Sequence, residues 1–214
     1  DGWWTGIVAY NPSDLACTIT ITPFSDQGIQ LTLSTRSLAG KGKYVGAVSD
    51  LGLPAQTAWF KMDSTRPLTG FELFGADDGS RVAAYAGGGG IAAKSGVFSK
   101  IEKNGWTDIA FVNTEANAAS VTLTAYNDTG AAVAVRTITV GGYAKMVNTA
   151  EGLFTQDISG ATYIAYSSDR NVIGFQLNGS SDGTMLDGLP ALVGTARPAP
   201  IGGLAQPSGC VPVV

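Results

Sequence analysis

Trp4-Thr5-Gly6-Ile7-Val8-Ala9-Tyr10-Asn11 returns 102 residues later as Trp106-Thr107-Asp108-Ile109-Ala110-Phe111-Val112-Asn113. The offset holds without a gap to Gly28 and Gly130, and Ala16, Thr20, Thr22 and Asp26 are also identical to their counterparts. A second block follows at an offset of 104: Arg66, Gly70, Phe71, Leu73, Gly75, Asp78 and Gly79 match Arg170, Gly174, Phe175, Leu177, Gly179, Asp182 and Gly183. Two ordered blocks separated by a two-residue slip mark a duplication. Each copy has about 100 residues, an ordinary domain size. Two copies suit tandem globular modules better than a solenoid, which needs three or more repeats.

Within each copy the pattern is that of strands. Thr18-Ile19-Thr20-Ile21-Thr22 and Ser120-Val121-Thr122-Leu123-Thr124 alternate hydroxyl and aliphatic side chains, the period of a half-buried strand. Ser25-Asp26-Gln27-Gly28 and Asn127-Asp128-Thr129-Gly130 read as turns, and Ala131 to Val140 as a returning strand. Leu68 to Leu73 and Val172 to Leu177 read as further strands, each followed by an Asp-Gly turn at Asp78-Gly79 or Asp182-Gly183. Ser49–Leu53 and Ala150–Phe154 have room for one helical turn each. The expectation is an all-β chain of two homologous antiparallel β-sandwiches, Ig-like, in tandem. Residues 1–86 form the first, 87–96 a Gly-rich linker, 97–193 the second and 194–214 a Pro/Gly-rich tail. Gly96 to Ile101 reads as the strand that leads into Trp106.

Composition narrows the function. The chain has 214 residues, 44% of them hydrophobic and 14% charged, with a net charge of −4. That balance disfavours nucleic acid. Histidine is absent, which excludes Ser-His and Cys-His catalysis and His metal sites. No apolar run reaches the ~18 residues of a membrane-spanning helix. Low charge and abundant Gly, Thr, Ser and Ala favour an extracellular protein, and the Asp1-Gly2-Trp3-Trp4 start reads as a processed or trimmed N-terminus.

Several motifs look chemical and reduce to structure. Gly179-Ser180-Ser181-Asp182-Gly183 matches a nucleophile elbow but sits in a hairpin and has no His partner. Gly88-Gly89-Gly90-Ile91-Ala92-Ala93 matches a dinucleotide fingerprint but precedes no helix. Asp77, Asp78, Asp182 and Asp187 belong to turns and fit no EF-hand loop. Glu72 becomes Gln176 and Asp63 becomes Ser167 in the other copy, so no carboxylate pair recurs. We therefore expect no enzyme, no catalytic residue, no metal and no cofactor. Trp4/Trp106 and Trp59/Tyr163 occupy matched positions and suit a shared core role. Trp3, Arg66 and Arg170 remain as ligand-facing candidates, for a glycan or another surface ligand.

Trp3-Trp4-Thr5-Gly6-Ile7 with Asn11-Pro12, followed by Gly70-Phe71-Glu72-Leu73-Phe74-Gly75 with Asp78-Gly79, resembles β-sandwich repeats of secreted and cell-surface bacterial proteins. Leu186-Asp187-Gly188-Leu189-Pro190 is similar to the end of such a repeat. The resemblance implies an extracellular, non-enzymatic module.

The first copy departs from the second in one respect. Three residues precede Trp4, so the strand that should run ahead of it is expected to be missing. A sandwich lacking a strand exposes a groove and unpaired edges that invite another chain. The tail is a candidate donor through Ile201, Leu204, Val211, Val213 and Val214, entering either its own first copy or that of the next molecule. The second geometry propagates into a filament. Cys17 and Cys210 are each unique to one segment, and a disulfide between them would lock either geometry. The alternative expectation is a carbohydrate-binding accessory module of a secreted hydrolase.

Overall fold

A computed structural model describes residues 3–87 and 91–194. The chain is all-β with antiparallel sheets. The first half contains β1 (Trp3–Tyr10), β2 (Cys17–Phe24), β3 (Ser34–Leu38), β4 (Lys43–Ala47), β5 (Trp59–Ser64), β6 (Thr69–Ala76) and β7 (Val82–Gly87). The second contains β8 (Ala93–Phe98), β9 (Gly105–Asn113), β10 (Ala119–Tyr126), β11 (Ala132–Val140), β12 (Lys145–Thr149), β13 (Tyr163–Ser180) and β14 (Leu186–Pro190). One-turn 3-10 helices at Val48–Leu51 and Glu151–Leu153 follow β4 and β12. No helix among the described residues is long and apolar enough to cross a membrane.

The duplication visible in sequence reappears as strand register. Ile7 lies opposite Glu72 as Ile109 lies opposite Gln176. Ile21 faces Met62 as Leu123 faces Tyr166. Cys17 pairs with Leu38 as Ala119 pairs with Val140, and Leu73 with Ala84 as Leu177 with Gly188. A one-residue slip would turn every core side chain outward, so matching registers bury matching faces.

Identical polar residues close the two halves in the same way. Asn11 is fully buried at the end of β1 and donates Nδ2 to the carbonyls of Leu15, Leu38 and Ala39. Asn113 does the same at the end of β9, to Asn117, Val140 and Gly141. Each ties the following loop to a neighbouring strand, and burial without those partners would be costly.

In the second half, β13 runs unbroken for 18 residues and pairs with β10 through its first part and β9 through its second, so the strands join in one sheet of seven. In the first half the same course is interrupted between β5 and β6, where Pro67 stands in the place of Asn171. The Asn171 amide donates to the Glu115 carboxylate at 3.0 Å, a bond that proline has no N–H to make. One expectation needs correction: the strand expected over Gly96 to Ile101 begins at Ala93, inside the expected linker of 87–96, and Gly87 still belongs to β7.

The halves meet through aromatic and polar contacts. Phe24 stacks on Trp59 at 4.5 Å and on Tyr143 at 5.4 Å, and the Trp59 indole donates to the Tyr143 carbonyl at 2.9 Å. Lys145 Nζ donates to the Ala58 carbonyl at 2.8 Å.

Candidate functional site

β8 completes the second half. It runs antiparallel to β13, with Phe98 opposite Ile164, Val97 opposite Ala165, Gly96 opposite Tyr166 and Ser95 opposite Ser167. On its other side Val97 exchanges two hydrogen bonds with Leu192, at 2.9 and 2.8 Å, and so bridges two edges. Side chains alternate across a strand, so Gly96 and Phe98 point inward. Phe98 is fully buried, edge-on to Phe111 at 5.5 Å and tilted on Tyr166 at 5.8 Å. Gly96 is required by that packing, since a Cβ there would lie 2.6 Å from the Tyr166 ring. Beyond the strand, Gln176 donates Nε2 to the Lys100 carbonyl at 2.9 Å.

In the first half, among the described residues, β5 pairs with β2 and is otherwise an open edge. Phe60 and Met62, the counterparts of fully buried Ile164 and nearly buried Tyr166, are left half-buried. Beside them lies a groove of about 300 Å³ lined by Ile7, Ala9, Phe60, Met62, Leu68, Gly70, Phe71 and Glu72, among others. An inner space of about 100 Å³ shares Ile7, Ala9 and Met62 with it and reaches Ile19, Ile21 and Leu51. The aromatic trio Phe98, Phe111 and Tyr166 has no equivalent there, because Ala9 and Met62 replace Phe111 and Tyr166. Among the described residues, seven buried apolar residues cluster in the first core and twenty in the second.

Among the described residues, one ionisable group lines this groove, Glu72. Burial pushes its carboxyl up from an ordinary 4.5 to about 7, partly offset by the Lys145 ammonium. Near neutrality it is therefore divided between a protonated form, which donates a hydrogen bond, and a carboxylate, which does not. Its counterpart Gln176 is always a donor.

The other residues singled out in the sequence fall elsewhere. Arg66 Nε donates to the Ala16 carbonyl at 3.2 Å and Arg170 Nε to Ala118 at 3.1 Å, equivalent bonds in the two halves. Arg170 also pairs with Glu115 at 3.4 Å. Trp4 and Trp106 lie flat over Gly75 and Gly179, where an added Cβ would meet the indole at 2.5 and 2.4 Å. Trp59 stacks on Phe24, and Tyr163 on Tyr126 at 5.2 Å. Trp3 pairs with Ala76 through its backbone, but its side chain lies outside the described residues. Asp78 and Asp182 accept hydrogen bonds from Ser80 and Thr184 in their own turns. No group of three or more metal-ligating side chains gathers among the described residues.

Cys17 is buried and forms no disulfide among the described residues. Cys210 lies outside the described residues, as do Ile201, Leu204, Val211, Val213 and Val214.

No family model matches the chain, and no curated protein matches it. Two solved structures are similar in outline. Thermotoga maritima 1070 shares 14% identity at a TM-score of 0.40, over 47% of this chain and 93% of its own. A protein from Parabacteroides distasonis shares 11% at a TM-score of 0.25, over 88% of this chain and 70% of its own. Neither likeness is close enough to bear on function.

Proposed function

We propose that the protein is a non-enzymatic, extracellular structural or adhesive subunit of two tandem Ig-like sandwiches, whose copies associate when the C-terminal tail of one adds a strand to the first half of the next. One observation carries this reading. Among the described residues, β5 presents an unpaired edge beside an apolar groove, at the place where the second half holds β8. Open edges beside uncovered apolar surface are the substrate of strand addition, in which main-chain bonds give affinity and alternate side chains fill pockets. A donor supplied head-to-tail propagates into a filament unless it closes a ring.

The test is light scattering and negative-stain microscopy of the full chain beside a chain lacking residues 199–214. Oligomers or fibres from the first and monomers from the second are expected. Two monodisperse monomers of equal thermal stability would contradict the reading, and retention of those monomers on an insoluble polysaccharide would favour the carbohydrate-binding module instead.

A further inference from the structure

The groove has a template for its occupant in the same molecule. β8 follows β7 and serves the half that comes after it. In the sequence, the residues after β14 follow the second half as β8 follows the first. Aligned at an offset of 103, between the two offsets of the duplication, Ala93, Lys94, Gly96, Phe98 and Ile101 fall on Ala196, Arg197, Ala199, Ile201 and Leu204. The two large inward side chains of the β8 segment, Phe98 and Ile101, thus keep a large aliphatic residue, and its small inward position keeps a small one.

We infer that residues 196–204 are a second β8 segment and that they lie antiparallel along β5 of a second copy of this chain, with Ile201 opposite Phe60, Pro200 opposite Lys61, Ala199 opposite Met62 and Pro198 opposite Asp63. The inference rests on the assembly reading above and fixes its register.

Three features of the groove agree with this pairing. Ala199 has a Cβ where Gly96 has none, and it faces Met62 where Gly96 faces the Tyr166 ring that would reject a Cβ. The prolines fall where they do least harm. Val97 directs both backbone groups to Leu192, away from β13, so Pro200 in its place forfeits no bond to β5. By alternation the same holds for Pro198 in the place of Ser95. Finally, Gly203 takes the place of Lys100, whose carbonyl accepts from Gln176, and so brings a carbonyl to Glu72.

Disulfide trapping reads the register. Residues paired without mutual hydrogen bonds lie about 4.5 Å apart at Cα, within disulfide range. Two full-length chains would be mixed in a Cys17→Ala, Cys210→Ser background, one carrying Lys61→Cys and the other, tagged for size, Pro200→Cys. Cys17→Ala adopts the residue of the other half, Ala119. Mild oxidation should give the mixed dimer, whereas Asp63→Cys with Pro200→Cys, two residues out of register, should give at least tenfold less. Equal trapping by both pairs, or trapping by Asp63→Cys alone, would overturn the register while leaving assembly standing. No trapping by either pair, from chains that light scattering shows to be monomers, would overturn both readings. A thermal transition unchanged from the parent chain establishes that each variant is folded.

Discussion

Glu72 and Gln176 stand at the same point of the two halves, opposite Ile7 and Ile109; Gln176 donates to the Lys100 carbonyl, whereas Glu72 lines the groove. The difference of one atom sets a pH dependence. Glu72 binds its proton more tightly in the folded chain, at about 7, than at its ordinary 4.5. Stability therefore falls as pH rises from about 4.5 through 7, because the folded state holds the extra proton. Glu72→Gln should flatten that slope, as read by urea midpoints from pH 5 to 8. An unchanged slope would place its origin elsewhere.

Assembly should depend on the same proton. Protonated Glu72 donates to the carbonyl of the incoming strand, and the carboxylate repels it. Above pH 7 the association constant should fall by up to about tenfold per pH unit. The charge of Lys145 on β12 favours the carboxylate and so lowers the pH at which this fall begins. Glu72→Gln should assemble equally at pH 6 and 8 by sedimentation.

Phe98→Ala removes the aromatic wedge that β8 drives into the second core. A loss of about 3–5 kcal/mol is expected from the transfer and cavity costs of a fully buried phenylalanine. Chemical denaturation measures it, and a loss under about 1 kcal/mol would mean the site collapses around the gap.

Asn11→Ala and Asn113→Ala each strip three buried or part-buried carbonyls of a donor. Each should cost about 1–3 kcal/mol, and the two losses should be similar because the geometry repeats. A strongly unequal pair would contradict the equivalence of these two loop ties.

Much of this architecture is legible in the sequence because register carries it. Thr18 to Thr22 alternate, Gly28 and Gly130 adopt the positive φ their turns demand, and the matched blocks keep their partners. The continuity of β13 is not legible, since the Asn171 amide there meets the carboxylate of Glu115, 56 residues away in the sequence. The start of β8 at Ala93 is hidden by its composition, because Ala-Lys-Ser-Gly has no strand period and pairs through its backbone. Asn11 and Asn113 stand out as identical residues, but their role needs three carbonyls that lie far along the chain. Glu72 and Gln176 show as a substitution, and its meaning depends on the Lys100 carbonyl. The match between β8 and the tail keeps side-chain size and little identity, so it emerges once Gly96 and Phe98 are seen to face inward.

The most direct measurement is the assembly state, by light scattering, of four full-length proteins: the parent, Met62→Tyr, Ala199→Gly and the double variant. Met62→Tyr places at β5 the ring that Gly96 accommodates in the second half, so it should block the Ala199 Cβ and leave monomers. Ala199→Gly should restore assembly to the Met62→Tyr chain. A parent that stays monomeric, or a Met62→Tyr chain that assembles as well as the parent, would contradict the account.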